Sequence, residues 1–327
     1  MPTAEVRRTR ITGSTRIYGI IGDPVEHSLS PVFWQAAFAN LHLNAVYVPF
    51  RVKNDEIDRA IAGLQALGVQ GVNVTSPHKE SAARHCSILH SPADVLQAVN
   101  TVWHDDAGKI NGANTDACAA QEILSRFPKQ RIVTLLGAGG AGKAFLWGLY
   151  QTKPDVIYWL NRTQISQVPS FISGDTRIIT LPWDDHSLTT AIADSTMIIN
   201  ATPLGWKDDD DLPGLRHGLS ADKIYIDLNY APDSRLVTDA RQSGAWVIEG
   251  KELLLQQGFE SFQILTGYPA PKQVMQKSLS EFFLRDTLPQ AIISSTPGKS
   301  VTRFAIGTER YTTTNAHHRN GRKDECQ

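Results

Sequence analysis

The sequence predicts an α/β protein of two domains with mostly parallel sheets. Three observations carry that expectation. Strand-length apolar runs alternate with helix-periodic segments from Arg16 onward, the pattern of strands joined by crossover helices. A chain of 327 residues is long for a single core. At mid-chain the run Ile132-Val133-Thr134-Leu135-Leu136 enters Gly137-Ala138-Gly139-Gly140-Ala141-Gly142, a strand passing through closely spaced glycines into a helix.

In chain order, strands are expected at Ile17–Gly22, Ala45–Arg51 and Gly71–Thr75, with helices at Pro31–Leu43 and Asp55–Leu67 between them. Pro31 suits a first helical turn, with Ser30 before it as the N-cap. Ala98–Trp103 reads as a further strand, and Asn114–Phe127 as the helix that leads to the glycines. After the glycine turn a helix is expected over Lys143–Gln151, then a strand over Val156–Leu160. The short apolar runs Met197–Ala201, Ile224–Leu228 and Trp246–Ile248 suit buried parallel strands. Helical periodicity resumes at Leu253–Leu265 and Lys272–Leu288, and these two helices are expected to return to the first domain. A composition of Ser, Thr, Gly, Arg and Asn beyond Leu288 predicts a disordered tail. The domains are therefore drawn as 16–116 plus 255–288 and as 117–254, with tails at 1–15 and 289–327.

The glycine turn implies a dinucleotide. Gly137 permits the tight turn, Gly139 the approach of backbone to pyrophosphate, and Gly142 close helix–strand packing. The following helix aims its free amides and positive dipole end at phosphate. The Val156–Leu160 strand ends in Asn161-Arg162-Thr163, where an NAD-binding unit carries an acid for the ribose 2′-hydroxyl. A guanidinium there suits a 2′-phosphate, because its planar fork donates two parallel bonds. NADP is the expected cofactor, with NAD the alternative.

The charges, 32 basic and 33 acidic, nearly cancel, which argues against a nucleic-acid surface or a polybasic membrane face. No apolar run reaches the ~18 residues of a membrane span. Arg7, Arg8 and Arg10 precede no apolar core, so no secretory signal is expected. Cys86, Cys118 and Cys326 show neither disulfide nor zinc spacing, and a reduced, cytoplasmic monomer or homodimer is expected. Neither His317-His318 nor the acidic run Asp208–Asp211 suggests a metal site; both read as solvated.

Polar groups gather at the strand ends of the first half: Ser28 and Ser30, Asn73 through Lys79, Asn100-Thr101, and Asn114-Thr115-Asp116. Hydroxyls, amides, an ammonium and a carboxylate suit a polyhydroxylated acid held in the cleft between two domains. In this order the chain resembles the shikimate dehydrogenase family from about Tyr18 to Leu288. The shared motifs are Ser-x-Ser-Pro at Ser28–Pro31, Asn-Val-Thr-x-Pro-x-Lys at Asn73–Lys79, Ala-Val-Asn-Thr at Ala98–Thr101 and Asn-Thr-Asp at Asn114–Asp116. Beyond the glycine turn and Asn-Arg-Thr come Asn-Ala-Thr-Pro-Leu-Gly at Asn200–Gly205, Asp227–Pro232, and Gly250–Phe262.

The resemblance implies reduction of 3-dehydroshikimate with NADPH in the route to chorismate and the aromatic amino acids. It implies an N-terminal α/β substrate domain, a Rossmann-type nucleotide domain and an active site in the cleft between them. Lys79 and Asp116 would form the catalytic pair. Ser28 and Ser30 would bind the substrate carboxylate, and Thr75, Asn100, Tyr230 and Gln257 its ring hydroxyls and carboxylate. Gly137, Ala138, Gly139, Gly140, Ala141, Asn161, Arg162, Thr163, Thr202, Leu228 and Gly250 would hold the cofactor, and no metal is implied. Which of Lys79 and Asp116 transfers the proton stays open. The chain departs from the family pattern at Ala113, Ala117, Ser166, Trp206, Glu252 and Leu253, and Trp206 stands where the family carries methionine. A quinate/shikimate or aminoshikimate dehydrogenase using NAD or NADP is the alternative reading, and a nucleotide-sensing regulator a third.

Overall fold

The first half of the chain builds one sheet from β1 (Arg16–Gly22), α1 (Ser30–Asn40), β2 (Ala45–Arg51), α2 (Ile57–Ala66), β3 (Gly71–Val74), α3 (Lys79–Ala83), β4 (Ile88–Leu89), α4 (Ala93–Leu96), β5 (Thr101–His104), β6 (Ile110–Ala113) and α5 (Thr115–Ser125). The computed structural model describes residues 11–287 apart from 173, 208, 232 and 233. Both tails beyond those limits, with His317-His318, Cys326 and Leu288, lie outside the described residues. Thr12–Thr15, expected in the N-terminal tail, are tied to the first sheet: the Thr15 hydroxyl donates to Asn44 Oδ1 at 2.8 Å.

The strand order of this sheet is β2-β1-β3-β5-β6-β4. β1 pairs in parallel with β2 and β3, whereas β5 runs antiparallel to both β3 and β6. The antiparallel turn was not expected, because Asn111 and Gly112 of β6 are weak strand formers and only the pairing makes them extended. β5 begins at Thr101 rather than Ala98; before it, Val99 N donates outside the sheet to the Lys79 carbonyl at 3.0 Å.

The second sheet comes from β7 (Ile132–Leu136), α6 (Gly140–Thr152), β8 (Val156–Leu160), β9 (Arg177–Leu181), α7 (Asp185–Asp194), β10 (Met197–Asn200), α8 (Leu215–Gly218), β11 (Ile224–Asp227), α9 (Arg235–Gln242) and β12 (Trp246–Ile248). Its order, β12-β11-β10-β7-β8-β9, is parallel throughout. Winding starts at β7, moves outward through β8 and β9, then returns to the other side of β7. The glycine turn follows β7, at the point where the order reverses and ligands bind in such sheets. α6 begins at Gly140, three residues before the expected Lys143, so Gly140 to Gly142 form its first turn. β9 and α7 were not expected, β9 because it is a half-exposed edge strand without a continuous apolar run.

Helices α10 (Gly250–Thr266) and α11 (Lys272–Thr287) return to the first sheet. Leu255, Phe259 and Phe262 of α10 and Met275 and Leu279 of α11 share a core with Phe33, Trp34 and Phe38 of α1. Gly258 lets α10 approach closely, since a Cβ there would sit 2.7 Å from Phe33 Cε2. Among the described residues no helix is long and apolar enough to cross a membrane, and no group of His, Cys, Asp or Glu is arranged to hold a metal.

Candidate active site

The carboxyl ends of β1 and β3, the start of α1 and the first turns of α3, α5 and α10 surround a cavity of about 580 Å³. All eight residues expected to hold substrate or act in catalysis, Ser28, Ser30, Thr75, Lys79, Asn100, Asp116, Tyr230 and Gln257, line it. Ser30 is not the helix cap: Leu29 takes that position, and Ser30 is the first residue of α1. Its hydroxyl neighbours the buried phenol of Tyr47, which donates to Asn73 Oδ1 at 2.7 Å. Asn73 in turn donates to the Asn100 carbonyl at 3.1 Å and Thr101 Oγ1 at 3.2 Å. Tyr47 was not singled out from sequence. Strand alternation puts it on the face of Ala45, but only the β2–β1–β3 register brings it to Asn73, which lines the cavity.

The catalytic candidates meet at the cavity edge. Lys79 Nζ lies 2.5 Å from Asp116 Oδ2, with side chains 17% and 13% exposed. Water screens a pair this shielded less than it screens an ion pair on the surface. Lys79 opens α3, and its backbone carbonyl accepts from Val99 N at 3.0 Å. The neighbouring His78 ring is buried with Nε2 2.6 Å from the Val52 carbonyl, which pins the turn that carries the lysine. Asp116 lies in the first turn of α5, where Asn114 is the cap and accepts from Ala117 N at 3.1 Å.

Asn100 is 3% exposed and binds α5 directly: Oδ1 accepts from Thr115 N at 2.7 Å and Nδ2 donates to Thr115 Oγ1 at 2.9 Å. An amide carries two donor hydrogens, so one remains for a ligand. Gln257 donates to the Leu254 carbonyl at 2.7 Å and keeps its oxygen for the cavity. Burial raises the Tyr230 phenol above its usual range.

Beside this cavity the glycine turn walls a second one of about 410 Å³, lined by Gly137, Ala138, Gly139, Gly140, Ala141, Asn161, Arg162 and Thr202 with Thr75 and Lys79. Lys79 thus lines both. Gly137 has φ +101°, a conformation L side chains avoid, and a Cβ on Gly142 would sit 2.3 Å from the Gly137 carbonyl. Nothing occupies the space a Gly139 side chain would fill, and α6 starts there without a side-chain cap. Asn161 Oδ1 accepts from Ala138 N at 3.2 Å, tying the β8 tip to the turn. Thr163 belongs to an adjoining groove of about 630 Å³ that continues through Ser166 to Ser170. An open glycine cradle, an uncapped helix N-terminus and a nearby guanidinium fit a phosphate-bearing dinucleotide.

Leu228 and Gly250, expected at the cofactor, line the 580 Å³ cavity. A Cβ on Gly250 would sit 2.3 Å from the Leu228 carbonyl, so this glycine lets α10 start against β11. Thr202 gives its hydroxyl to Asn200 Oδ1 at 2.6 Å. Among the departures from the family pattern, Ala113 and Ala117 are buried, Glu252 pairs with Arg126, and Leu253 and Trp206 face the substrate-sized cavity. Asp210 is not a free solvated acid: it accepts from Gly205 N at 2.8 Å and Lys207 N at 3.0 Å, while Asp208 lies outside the described residues. Sequence reasoning also missed Glu80–Lys143, an ion pair at 2.5 Å that joins α3 to the first turn of α6.

Comparison with known proteins agrees with this geometry. A profile of the shikimate dehydrogenase substrate binding domain matches residues 20–102. The NADP(+) shikimate dehydrogenase of Gloeothece citriformis is 36% identical over 286 residues, 83% of this chain and 98% of that one. The crystal structure of the Aquifex aeolicus shikimate dehydrogenase superposes with a TM-score of 0.72 at 32% identity, covering 83% of this chain and 99% of that chain. The Thermus thermophilus enzyme, solved with NADP(H) and shikimate, gives 0.70 at 26% identity over 82% and 99%. With identity above three-tenths across nearly the whole length of a curated relative, and with its motifs gathered around one cleft, the chain belongs to the shikimate dehydrogenase family.

Proposed function

We propose that this protein catalyses the reversible, NADP-dependent reduction of 3-dehydroshikimate to shikimate. The observation that carries the reading is the Lys79–Asp116 pair, which stands where a cavity lined by hydroxyls and amides adjoins the glycine turn. In this reading Ser28 and Ser30 take the carboxylate, and Thr75, Asn100, Tyr230 and Gln257 take the ring hydroxyls and carboxylate. The bound cofactor supplies the hydride for the C3 carbonyl carbon. As negative charge develops on the C3 oxygen, the Lys79 ammonium stabilises it and delivers a proton. Asp116 holds that ammonium toward the reacting atom. In the oxidative direction the same lysine receives the hydroxyl proton.

The domain limits follow the same logic: 16–116 with 255–288 would hold the acid, and 117–254 the dinucleotide. The shared core of α1, α10 and α11 supports a discontinuous substrate domain. A cytoplasmic compartment suits the free thiols Cys86 and Cys118.

Arg162 favours NADP, since no acid stands at the β8 tip and its guanidinium lines the nucleotide cavity. The test follows reduced-cofactor absorbance for shikimate and quinate, each with NADP and NAD. Fastest turnover is expected with shikimate and NADP. Arg162→Ala should raise the KM for NADP about tenfold to a hundredfold while that for NAD stays within about twofold. No turnover in any combination would overturn the assignment in favour of a regulator, and faster turnover of quinate with NAD would favour the paralogue.

A further inference from the structure

Resting on the assignment of the 580 Å³ cavity to a hydroxylated ring acid, we propose that Trp206 determines specificity by forming, with Tyr230, a fixed aromatic wall against the apolar face of the substrate ring. The polar residues of this cavity account for the carboxylate and hydroxyls along the edge of such a ring. Its C–H face needs an apolar partner, and the Trp206 indole lines the cavity for that purpose. Trp206 and Tyr230 meet edge to face, with ring centroids 5.2 Å apart and planes at 78°. That is the favourable geometry for two aromatic quadrupoles and holds both rings at a set angle.

Trp206 is 44% exposed. A single exposed aromatic means little in itself, but this one sits on a backbone held from several sides. Asp210 accepts from the backbone amides on either side of it, Gly205 N and Lys207 N. Asn229 donates to the Thr202 carbonyl at 3.0 Å and to the Leu204 carbonyl at 2.6 Å, and Asn200 donates to the same Leu204 oxygen at 2.8 Å. The Thr202 hydroxyl accepts from Leu204 N at 3.2 Å. Four polar side chains therefore tie the loop backbone around this position, and the large side chain it presents to the cavity is Trp206. Such a loop is preorganised, so little entropy is lost when a ligand docks against it.

Where the family pattern carries methionine, a flexible thioether adapts to rings of different outline. An indole cannot adapt in that way. The wall should therefore strengthen binding of a ring acid that matches it and disfavour one with an additional hydroxyl on the carbon bearing the carboxylate, as in quinate.

The test compares wild type, Trp206→Met and Trp206→Ala in steady-state assays with shikimate, quinate and NADP. Trp206→Ala is expected to raise the KM for shikimate about tenfold, with kcat within about threefold and the KM for NADP within about twofold. Trp206→Met is expected to raise the quinate-to-shikimate ratio of kcat/KM by about threefold or more. A KM for shikimate unchanged in Trp206→Ala would overturn the proposal. So would an equal rise in the KM for NADP, which would put the indole at the cofactor. Wild-type turnover of shikimate in the same series tests the functional assignment separately, so failure of one is not failure of the other.

Discussion

Replacing Lys79 by alanine is expected to lower kcat by about a thousandfold or more, with the KM for shikimate changed less than about fivefold. The size follows from what the ammonium supplies: a proton for the C3 oxygen and a fixed positive charge in a site shielded from water. The side chains of Lys79 and Asp116 are 17% and 13% exposed, so bulk solvent replaces neither function well. Substrate affinity should change little, because the carboxylate and ring hydroxyls are held by other residues. Nor should the turn collapse, since the Lys79 carbonyl bond to Val99 N and the His78 ring bond to Val52 belong to atoms the substitution leaves in place. Steady-state kinetics with shikimate and NADP decide the matter. A KM increase that matches the entire loss in kcat/KM would mean that Lys79 positions substrate and carries no part of the chemical step.

Asp116→Asn should act in the same direction with a smaller effect, because an amide still offers the ammonium an acceptor oxygen but no charge. The contrast between the two variants separates the group that meets the reacting oxygen from the group that orients it.

The parts of this site legible in sequence are those whose chemistry is local. Ser28 and Ser30 stand two apart before a helix, Lys79 follows a proline-set turn, and the glycines follow a strand. Each pattern specifies its own geometry within a few residues. The cleft itself was inferred from the alternation of strands and helices and from the glycine turn between two sets of them. What sequence did not disclose depends on register between distant segments. Tyr47 meets Ser30 and Asn73 because β2 lies beside β1, with Tyr47 opposite Tyr18. Glu80 meets Lys143, 63 residues away, only because α3 lies against the start of α6. Ser30 shows the limit of a local rule: its type and position suit a helix cap, yet it becomes the first residue of α1 and lines the cavity, and a leucine takes the cap position. Asp210 departs from the solvated reading for a local reason: the turn folds it back onto the amides of Gly205 and Lys207, five and three residues before it.

Asp227 provides a prediction on stability, and it bears on the loop that carries Trp206. The residue ends β11 wholly buried, accepting from Tyr225 Oη at 2.8 Å, Asn229 N at 2.9 Å and Asn200 Nδ2 at 3.3 Å. Burial pushes its carboxyl up from the usual 3.8 to about 6, outweighing the hydrogen bonds that pull it down. The folded protein therefore holds this proton more tightly than the unfolded chain. The resulting stabilisation is complete below about pH 3.8 and is lost as pH rises through about 6. A difference of about two pH units corresponds to roughly 3 kcal/mol in total, of which about 1.5 kcal/mol falls between pH 5 and pH 8. Asp227→Asn keeps an acceptor for Asn229 N and has no charge to desolvate. Denaturant unfolding at pH 5 and pH 8 should show the wild type losing about 1.5 kcal/mol more than Asp227→Asn across that interval, whatever the other titrating groups contribute to both. If instead the wild type gains stability relative to the variant as pH rises, the hydrogen bonds outweigh desolvation and the carboxylate is ionised in the fold. The Asn200 and Asn229 amides that hold the Leu204 carbonyl would then be oriented by a full negative charge.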